Sequence, residues 1–159
     1  MRFGTWPRHH FHYLFALWAS LIHPFLAILN MSNNDATILL VDDEELLRAG
    51  VQEMLELQGF MVITAANGEQ ALACLAEKHI DLIITDLVMP KMDGIDFVQL
   101  LRKSWTNIPV IVVSGSTRNI MQRYGIDTIQ VPGADASLSK PFKGVDLVAQ
   151  VKALLESRT

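Results

Sequence analysis

The run ILLVDDE, residues 38–44, joins a short apolar segment directly to a cluster of acidic side chains. Four consecutive apolar residues, Ile38–Val41, are typical of a strand that is covered on both faces. Residues 44–58 follow with apolar side chains at helical spacing, and Gly59 is suited to end such a helix. These side chains are Leu47, Val51, Met54 and Leu55. The stretch therefore predicts a buried strand followed by an amphipathic helix.

Short apolar runs continue to alternate with amphipathic segments along the chain. Further strands are predicted at 60–65, 82–86, 109–114 and 137–139. Further helices are predicted at 67–78, after Asp93-Gly94, at 116–124 and at 144–157. The core face of the last helix is predicted to be Val145, Val148, Val151 and Leu155. Strands that alternate with helices indicate an α/β fold with a parallel sheet and right-handed crossovers.

Side chains with useful chemistry stand at the ends of these strands. Asp42 and Asp43 follow the first strand, Asp86 ends the third, Ser114 ends the fourth and Lys140 follows the fifth. Ligands of such folds bind at the carboxyl ends of the strands, so we expect these groups to meet there. Clustered carboxylates repel each other, which either raises a pKa or requires a cation, and oxygen ligands on an open edge suit Mg²⁺. A carboxylate beside Mg²⁺ is a competent nucleophile toward phosphorus.

Each of these features has a simpler interpretation when it is taken singly. An acidic pair after a strand favours the positive end of the following helix dipole. A Lys-Pro pair commonly forms a turn, and Asp86 by itself could cap the segment that follows it. Their joint occurrence, in order and each at a strand end, favours phosphoryl transfer.

Four segments resemble the receiver domain of two-component response regulators, and together they are highly specific. They are ILLVDDE (38–44), DLIITDLVMPKMDG (81–94), PVIVVSG (109–115) and SKPF (139–142). The resemblance implies a receiver domain over residues 37–157, of the stand-alone type. It also implies a three-layer, flavodoxin-like fold, in which a five-stranded parallel sheet of order 2-1-3-4-5 carries five helices on its two faces.

The resemblance assigns roles to the acidic residues. Asp86 would accept a phosphoryl group from a histidine kinase or a histidine phosphotransfer protein. The cofactor would be Mg²⁺, bound directly by Asp43, Asp86 and the backbone carbonyl of Val88. Asp42 would assist through a water molecule.

On the phosphate side, Lys140 matches the phosphate-binding lysine and Ser114 the switch hydroxyl. The Lys140–Pro141 bond matches one that is usually cis in the family. Three residues before the lysine, the family usually has an aromatic residue that couples phosphorylation to the output face, and here Ser137 stands instead. Either a different partner uses this surface, or Tyr124 takes the role from elsewhere.

Residues 1–30 differ in kind from the rest of the chain. Within them, residues 11–29 form an apolar stretch that approaches the roughly 20 residues needed to span a bilayer. The alternatives are a membrane anchor in an N-in, C-out orientation, a cleaved signal peptide, and an upstream extension ahead of a true start at Met31. An extension agrees with ATP-driven phosphodonors, so we predict a cytoplasmic protein, tethered to a membrane only if 11–29 is an anchor. Residues 31–36 would be a polar leader.

Composition excludes some classes of function. The net charge of −4 argues against nucleic-acid binding by bulk electrostatics. A single cysteine, Cys74, excludes an internal disulfide, and its helical spacing with Ala71 and Leu75 indicates a small core residue.

The predicted function is that of a phosphoacceptor in a two-component system or phosphorelay. Because no output module follows residue 157, signalling is expected through an unidentified output protein. Ser137 keeps a phosphorylation-independent scaffold as an alternative. A haloacid-dehalogenase-type phosphatase would need a second Asp two residues after Asp86, where Val88 stands, so no enzymatic activity is predicted.

Overall fold

The computed structural model of the protein describes residues 36–115 and 131–157. Five strands lie in this part of the chain: β1 Thr37–Val41, β2 Met61–Ala65, β3 Leu82–Asp86, β4 Val110–Ser114 and β5 Ala136–Ser139. Four helices connect or follow them: α1 Glu45–Leu57, α2 Gly68–Glu77, α3 Gly94–Ser104 and α4 Gly144–Glu156. The predicted helix at 116–124, the predicted extension 1–30 and residues 31–35 of the predicted leader 31–36 lie outside the described residues. Nowhere in the described ranges is there a helix long and apolar enough to cross a membrane.

The strands form one parallel sheet in the order β2-β1-β3-β4-β5, which confirms the predicted topology. Burial follows this order. Every residue of β3 and β4 is buried, as is all of β1 after Thr37, whereas β2 and β5 are largely half-exposed. The apolar runs of the sequence are therefore the inner strands, and the more polar runs are the edges of the described sheet.

The period-two alternation of the strands builds two cores, one on each face of the sheet. One face packs against α2 and α3, through side chains that include Leu39, Ile83, Val112, Phe97 and Leu101. The other packs against α1 and α4, through side chains that include Leu40, Ile84, Ile111, Leu55 and Leu147. Helices on both faces make the three layers that were predicted.

The predicted core face of the last helix is partly wrong. Val145 is 72% exposed, whereas Leu147 is fully buried together with Val151. A helix turns by about 100° per residue, so Val145 points roughly 140° away from the midpoint between Leu147 and Val151. The other predicted residues, Val148, Val151 and Leu155, do pack against this core, which also takes in Leu147 and Leu154.

Arg102, near the end of α3, fixes the loop that enters β5. Its Nε donates to the Gly133 carbonyl at 2.7 Å, and its Nη2 lies 2.9 Å from Asp135 Oδ2. The same carboxylate oxygen accepts the Val110 N–H at 2.8 Å. The starts of β4 and β5 are thus held together at the end of the sheet opposite the carboxyl ends of its strands.

Candidate functional site

The predicted site residues meet at the carboxyl edge of the sheet, where four neighbouring strands end. Backbone hydrogen bonds extend the sheet by one residue beyond the ends of β1 and β5. The Asp42 N–H donates to the Ala65 carbonyl at 3.1 Å, and the Lys140 N–H donates to the Ser114 carbonyl at 2.7 Å. Asp42 and Lys140 are therefore placed by the sheet itself, and their side chains project from fixed backbone.

Lys140 joins the two buried acids. Its Nζ lies 2.6 Å from Asp86 Oδ2 and 3.1 Å from Asp42 Oδ2. Asp86 and Asp42 are 8% and 6% exposed, so these ion pairs are largely shielded from solvent. The Lys140–Pro141 peptide bond is cis, as the resemblance implied.

The surroundings of Lys140 keep its ammonium group protonated. Burial by itself would lower the pKa of the ammonium group, but the hydrogen bonds and charges of Asp86 and Asp42 outweigh it and raise the pKa above its ordinary value of 10.5. Lys140 therefore remains a cation at physiological pH and is available to neutralise negative charge at Asp86.

The remaining oxygens of the two buried acids are oriented by backbone N–H groups. Asp86 Oδ1 accepts from the Val88 N–H at 3.0 Å, and Asp42 Oδ1 accepts from the Glu44 N–H at 2.8 Å. Asp43, the third predicted acid, is exposed at the start of the turn into α1. The Val88 side chain is 54% exposed, and the Val88 carbonyl stays a predicted metal ligand.

The three acids form a cluster suited to a metal ion. One carboxylate oxygen from each of Asp42, Asp43 and Asp86 lies within 4.8 Å of the other two. Three carboxylates set against the single Lys140 ammonium leave a formal excess of two negative charges. A set of hard oxygen donors with this excess fits a divalent cation such as Mg²⁺.

Ser114 and Ser137 are the two predicted switch positions. The Ser114 hydroxyl is buried and has no hydrogen-bond partner among the described residues, which is costly unless a ligand supplies one. Ser137 lies in β5, in register with Val112, and is half-buried. No aromatic side chain occupies the position of Ser137, and Tyr124 lies outside the described residues.

Two residues that support the site were not predicted from the sequence. A Cβ atom on Gly94 would collide with the Asp86 carbonyl oxygen and lie 2.7 Å from Leu87 Cα, so only glycine allows α3 to approach the end of β3 this closely. Arg48 Nη1 donates to the Asp42 carbonyl at 2.6 Å. A cation in the first turn of a helix opposes the helix dipole, and this unusual placement was the available sign in the sequence.

Comparison with known proteins places this arrangement in one family. The sequence matches the response regulator receiver domain over residues 38–152. It is 42% identical over 118 residues to the transcriptional regulatory protein CpxR of Escherichia coli K12, an alignment that covers 74% of this chain and 48% of CpxR. It is 39% identical over 121 residues to the transcriptional regulatory protein PrrA of Mycobacterium tuberculosis, covering 76% and 50% of the two chains. The chain thus spans about half the length of the curated relatives that it matches.

Solved structures agree with the sequence match. A Francisella response regulator receiver domain superposes with a TM-score of 0.67 at 29% identity, over 78% of this chain and 99% of that one. The response regulator TrrA of Thermotoga maritima, solved in complex with Mg²⁺ and BeF, gives a TM-score of 0.65 at 29% identity, over 75% and 98%. With the family matched over residues 38–152 and the same fold present in solved receiver domains, this chain belongs to the response regulator receiver domain family.

Proposed function

We propose that this receiver domain is a phosphoacceptor in a two-component system or phosphorelay, in which Asp86 takes a phosphoryl group from a phosphohistidine in a Mg²⁺-dependent reaction. The observation that carries the proposal is the pairing of Lys140 with Asp86 at 2.6 Å inside a cluster of three carboxylates. A buried nucleophile, a fixed cation and an excess of negative charge for a metal are the parts that phosphoryl transfer requires.

In the proposed reaction, a carboxylate oxygen of Asp86 attacks phosphorus and forms a P–O bond. The P–N bond to the donor imidazole breaks, and its electron pair leaves with the imidazole, which takes up a proton. The Val88 N–H orients Asp86, while Lys140 and the Ser114 hydroxyl, which lacks a partner in the described part of the chain, would contact oxygens of the transferred group. Bound Mg²⁺, held by Asp42, Asp43, Asp86 and the Val88 carbonyl, would neutralise charge on the phosphoryl oxygens.

The proposed partners are a histidine kinase or histidine phosphotransfer protein as donor and an unidentified protein as reader of the signal. A cytoplasmic site of action follows from a donor that depends on ATP. Nucleic-acid contact is not proposed for the receiver domain itself; the names of CpxR and PrrA describe those proteins as transcriptional regulators. Ser137 in place of an aromatic side chain suggests that the reader recognises β5 by other contacts.

Turnover of phosphate esters is not part of the proposal. A phosphatase that uses an aspartyl nucleophile needs a second carboxylate two residues further on as acid and base. Val88 occupies that position, and its apolar side chain cannot exchange a proton. A scaffold that never accepts phosphate would not need Lys140, Asp86 and Asp42 to be brought together.

The test is to incubate the full chain with Mg²⁺ and acetyl phosphate and to measure intact mass. Wild type should gain the mass of one phosphoryl group, and the gain should vanish with EDTA and in Asp86→Asn. Asp146→Asn, which removes an exposed acid in the first turn of α4, is the matched control and should gain the same mass as wild type. Phosphorylation of Asp86→Asn would refute the assignment of the acceptor.

A further inference from the structure

Arg48 occupies a position that helix stability does not explain. It is the fourth residue of α1, and its N–H closes the first turn of that helix on the Glu44 carbonyl. A positive charge in the first turn opposes the helix dipole and costs stability there. Side chains of a helix lean toward its N-terminus, which brings the Arg48 guanidinium over the turn that precedes α1.

The guanidinium contacts the backbone of the acid pair. Its Nη1 lies 2.6 Å from the carbonyl oxygen of Asp42, a residue that is 6% exposed. Other bonds of Asp42 hold different atoms. Its N–H donates to Ala65, its Oδ1 accepts from the Glu44 N–H, and its Oδ2 pairs with Lys140, whereas its carbonyl oxygen is held by Arg48.

No side-chain capping hydrogen bond holds the turn at the start of α1. Glu44, the residue before α1, makes no side-chain capping hydrogen bond, in contrast to Asn67 before α2 and Asp93 before α3. The backbone carbonyl of Asp42, and with it the path of the chain to Asp43, is therefore held by the Arg48 contact. Groups that hold metal ligands in place commonly affect metal affinity without touching the metal.

We infer that Arg48 is a positioning residue that locks the β1–α1 turn and so presets Asp42 and Asp43 for a divalent cation. The inference rests on the proposed Mg²⁺-dependent function and adds a residue to it. Loss of the Arg48 side chain should change the affinity for Mg²⁺ in a direction that distinguishes positioning from simple charge repulsion. Removal of a positive charge beside an acidic cluster should by Coulomb's law strengthen cation binding, whereas loss of a positioning contact should weaken it.

The experiment measures the Mg²⁺ dissociation constant of the full chain by titration calorimetry, with Mg²⁺ alone as the probe. Arg48→Met should raise the constant roughly 10-fold. Arg48→Lys keeps the positive charge and an N–H donor. Its Mg²⁺ dissociation constant should lie between those of Arg48→Met and wild type. Exchange of the Glu44 amide in Mg²⁺-free protein, measured by NMR, should become faster in Arg48→Met because its bond to Asp42 Oδ1 loosens.

Arg102→Met is the matched control, because Arg102 likewise binds backbone carbonyls but lies at the other end of the sheet. It should lower the unfolding midpoint and leave the Mg²⁺ dissociation constant unchanged. The inference is overturned if Arg48→Met binds Mg²⁺ as tightly as wild type or more tightly, or if both arginine variants weaken binding equally. Should Arg48→Met fail to fold, Arg48→Lys decides: weaker binding supports the inference and wild-type affinity overturns it. Failure of wild type itself to bind Mg²⁺ would instead refute the proposed function.

Discussion

At the scale of single residues, Lys140 has two opposed effects on the site. Its ammonium group lies 2.6 Å from Asp86 and 3.1 Å from Asp42, so it stabilises the acids while no metal is bound. The same charge competes with a divalent cation for these oxygens. In the proposed reaction, it then neutralises the oxygens of the incoming phosphoryl group.

Lys140→Met should therefore separate metal binding from phosphoryl transfer. Mg²⁺ should bind more tightly, because a competing charge is gone, while the rate of phosphorylation by acetyl phosphate at saturating Mg²⁺ should fall roughly 100-fold, as it does when one charge-stabilising donor is lost. Calorimetry gives the first quantity and a time course of intact mass gives the second. Weaker Mg²⁺ binding together with an unchanged rate would contradict this account of Lys140.

The raised pKa of Lys140 also predicts how stability depends on pH. In Mg²⁺-free buffer, Lys140→Met should lower the free energy of unfolding by about 2 kcal/mol at neutral pH, because it leaves Asp42 and Asp86 without their cation. A folded-state pKa above 10.5 means that this contribution is complete below 10.5 and is lost as the pH rises through the raised value. Urea unfolding of both proteins over a pH series measures the difference. A difference that is already lost between about pH 6 and pH 10, where the acids are ionised and Lys140 is charged, would contradict this prediction.

At the scale of the elements, the approach of α3 to the end of β3 sets the position of Asp86. Gly94 opens α3 against the Asp86 carbonyl, and its N–H donates to the Leu87 carbonyl at 2.9 Å. Asp93 caps the same helix by accepting the N–H groups of Ile95 and Asp96. Helix and strand are thus joined at Asp86, the proposed phosphoacceptor.

Gly94→Ala should destabilise the protein by about 1 to 3 kcal/mol through overpacking and should also weaken Mg²⁺ binding, because the end of β3 must move. Gly50→Ala is the control. Gly50 lies within α1 with open space around its Cβ position, so alanine there should raise stability by up to about 1 kcal/mol. Urea unfolding and Mg²⁺ calorimetry on the two variants check this. Equal stability of Gly94→Ala and wild type would show that the close approach does not constrain Asp86.

The inner elements were predictable because their sequences carry a strong pattern. β3 and β4 are continuous apolar runs that end in polar groups, and the sheet order followed from the resemblance of those runs and their ends to a known family. Prediction was weaker where packing decides between alternatives. In α4, the choice of Leu147 over Val145 depends on contact with the sheet, which periodicity alone does not contain.

The same distinction applies to the site. Asp42, Asp86, Ser114 and Lys140 were found because polar groups at strand ends converge in a parallel sheet. Arg48 and Gly94 act through backbone contacts at distances that only the folded chain reveals. Gly94 belongs to a segment that resembles the family, and Arg48 stands against the helix dipole, but neither sign reveals the contact that the residue makes.

At the scale of the whole molecule, metal binding should be coupled to folding, since the three acids meet only when the sheet forms. Mg²⁺ at about 100 times its dissociation constant should raise the free energy of unfolding by about 2.7 kcal/mol, and EDTA should remove the gain. Asp43→Asn should lose most of this effect, whereas Asp146→Asn should retain it. Thermal unfolding with and without Mg²⁺ measures the gain, and an equal gain in both variants would place the cation outside the cluster.

The central claim is that the phosphoryl group resides on Asp86, and chemical reduction of the acyl phosphate tests it most directly. The full chain is phosphorylated with Mg²⁺ and acetyl phosphate, treated with borohydride, digested and sequenced by mass spectrometry. The account predicts that homoserine replaces aspartate at position 86, and that no reduction occurs when EDTA is present during phosphorylation. Homoserine at Asp42 or Asp43, or a phosphorylated protein with no reduced aspartate, would contradict it.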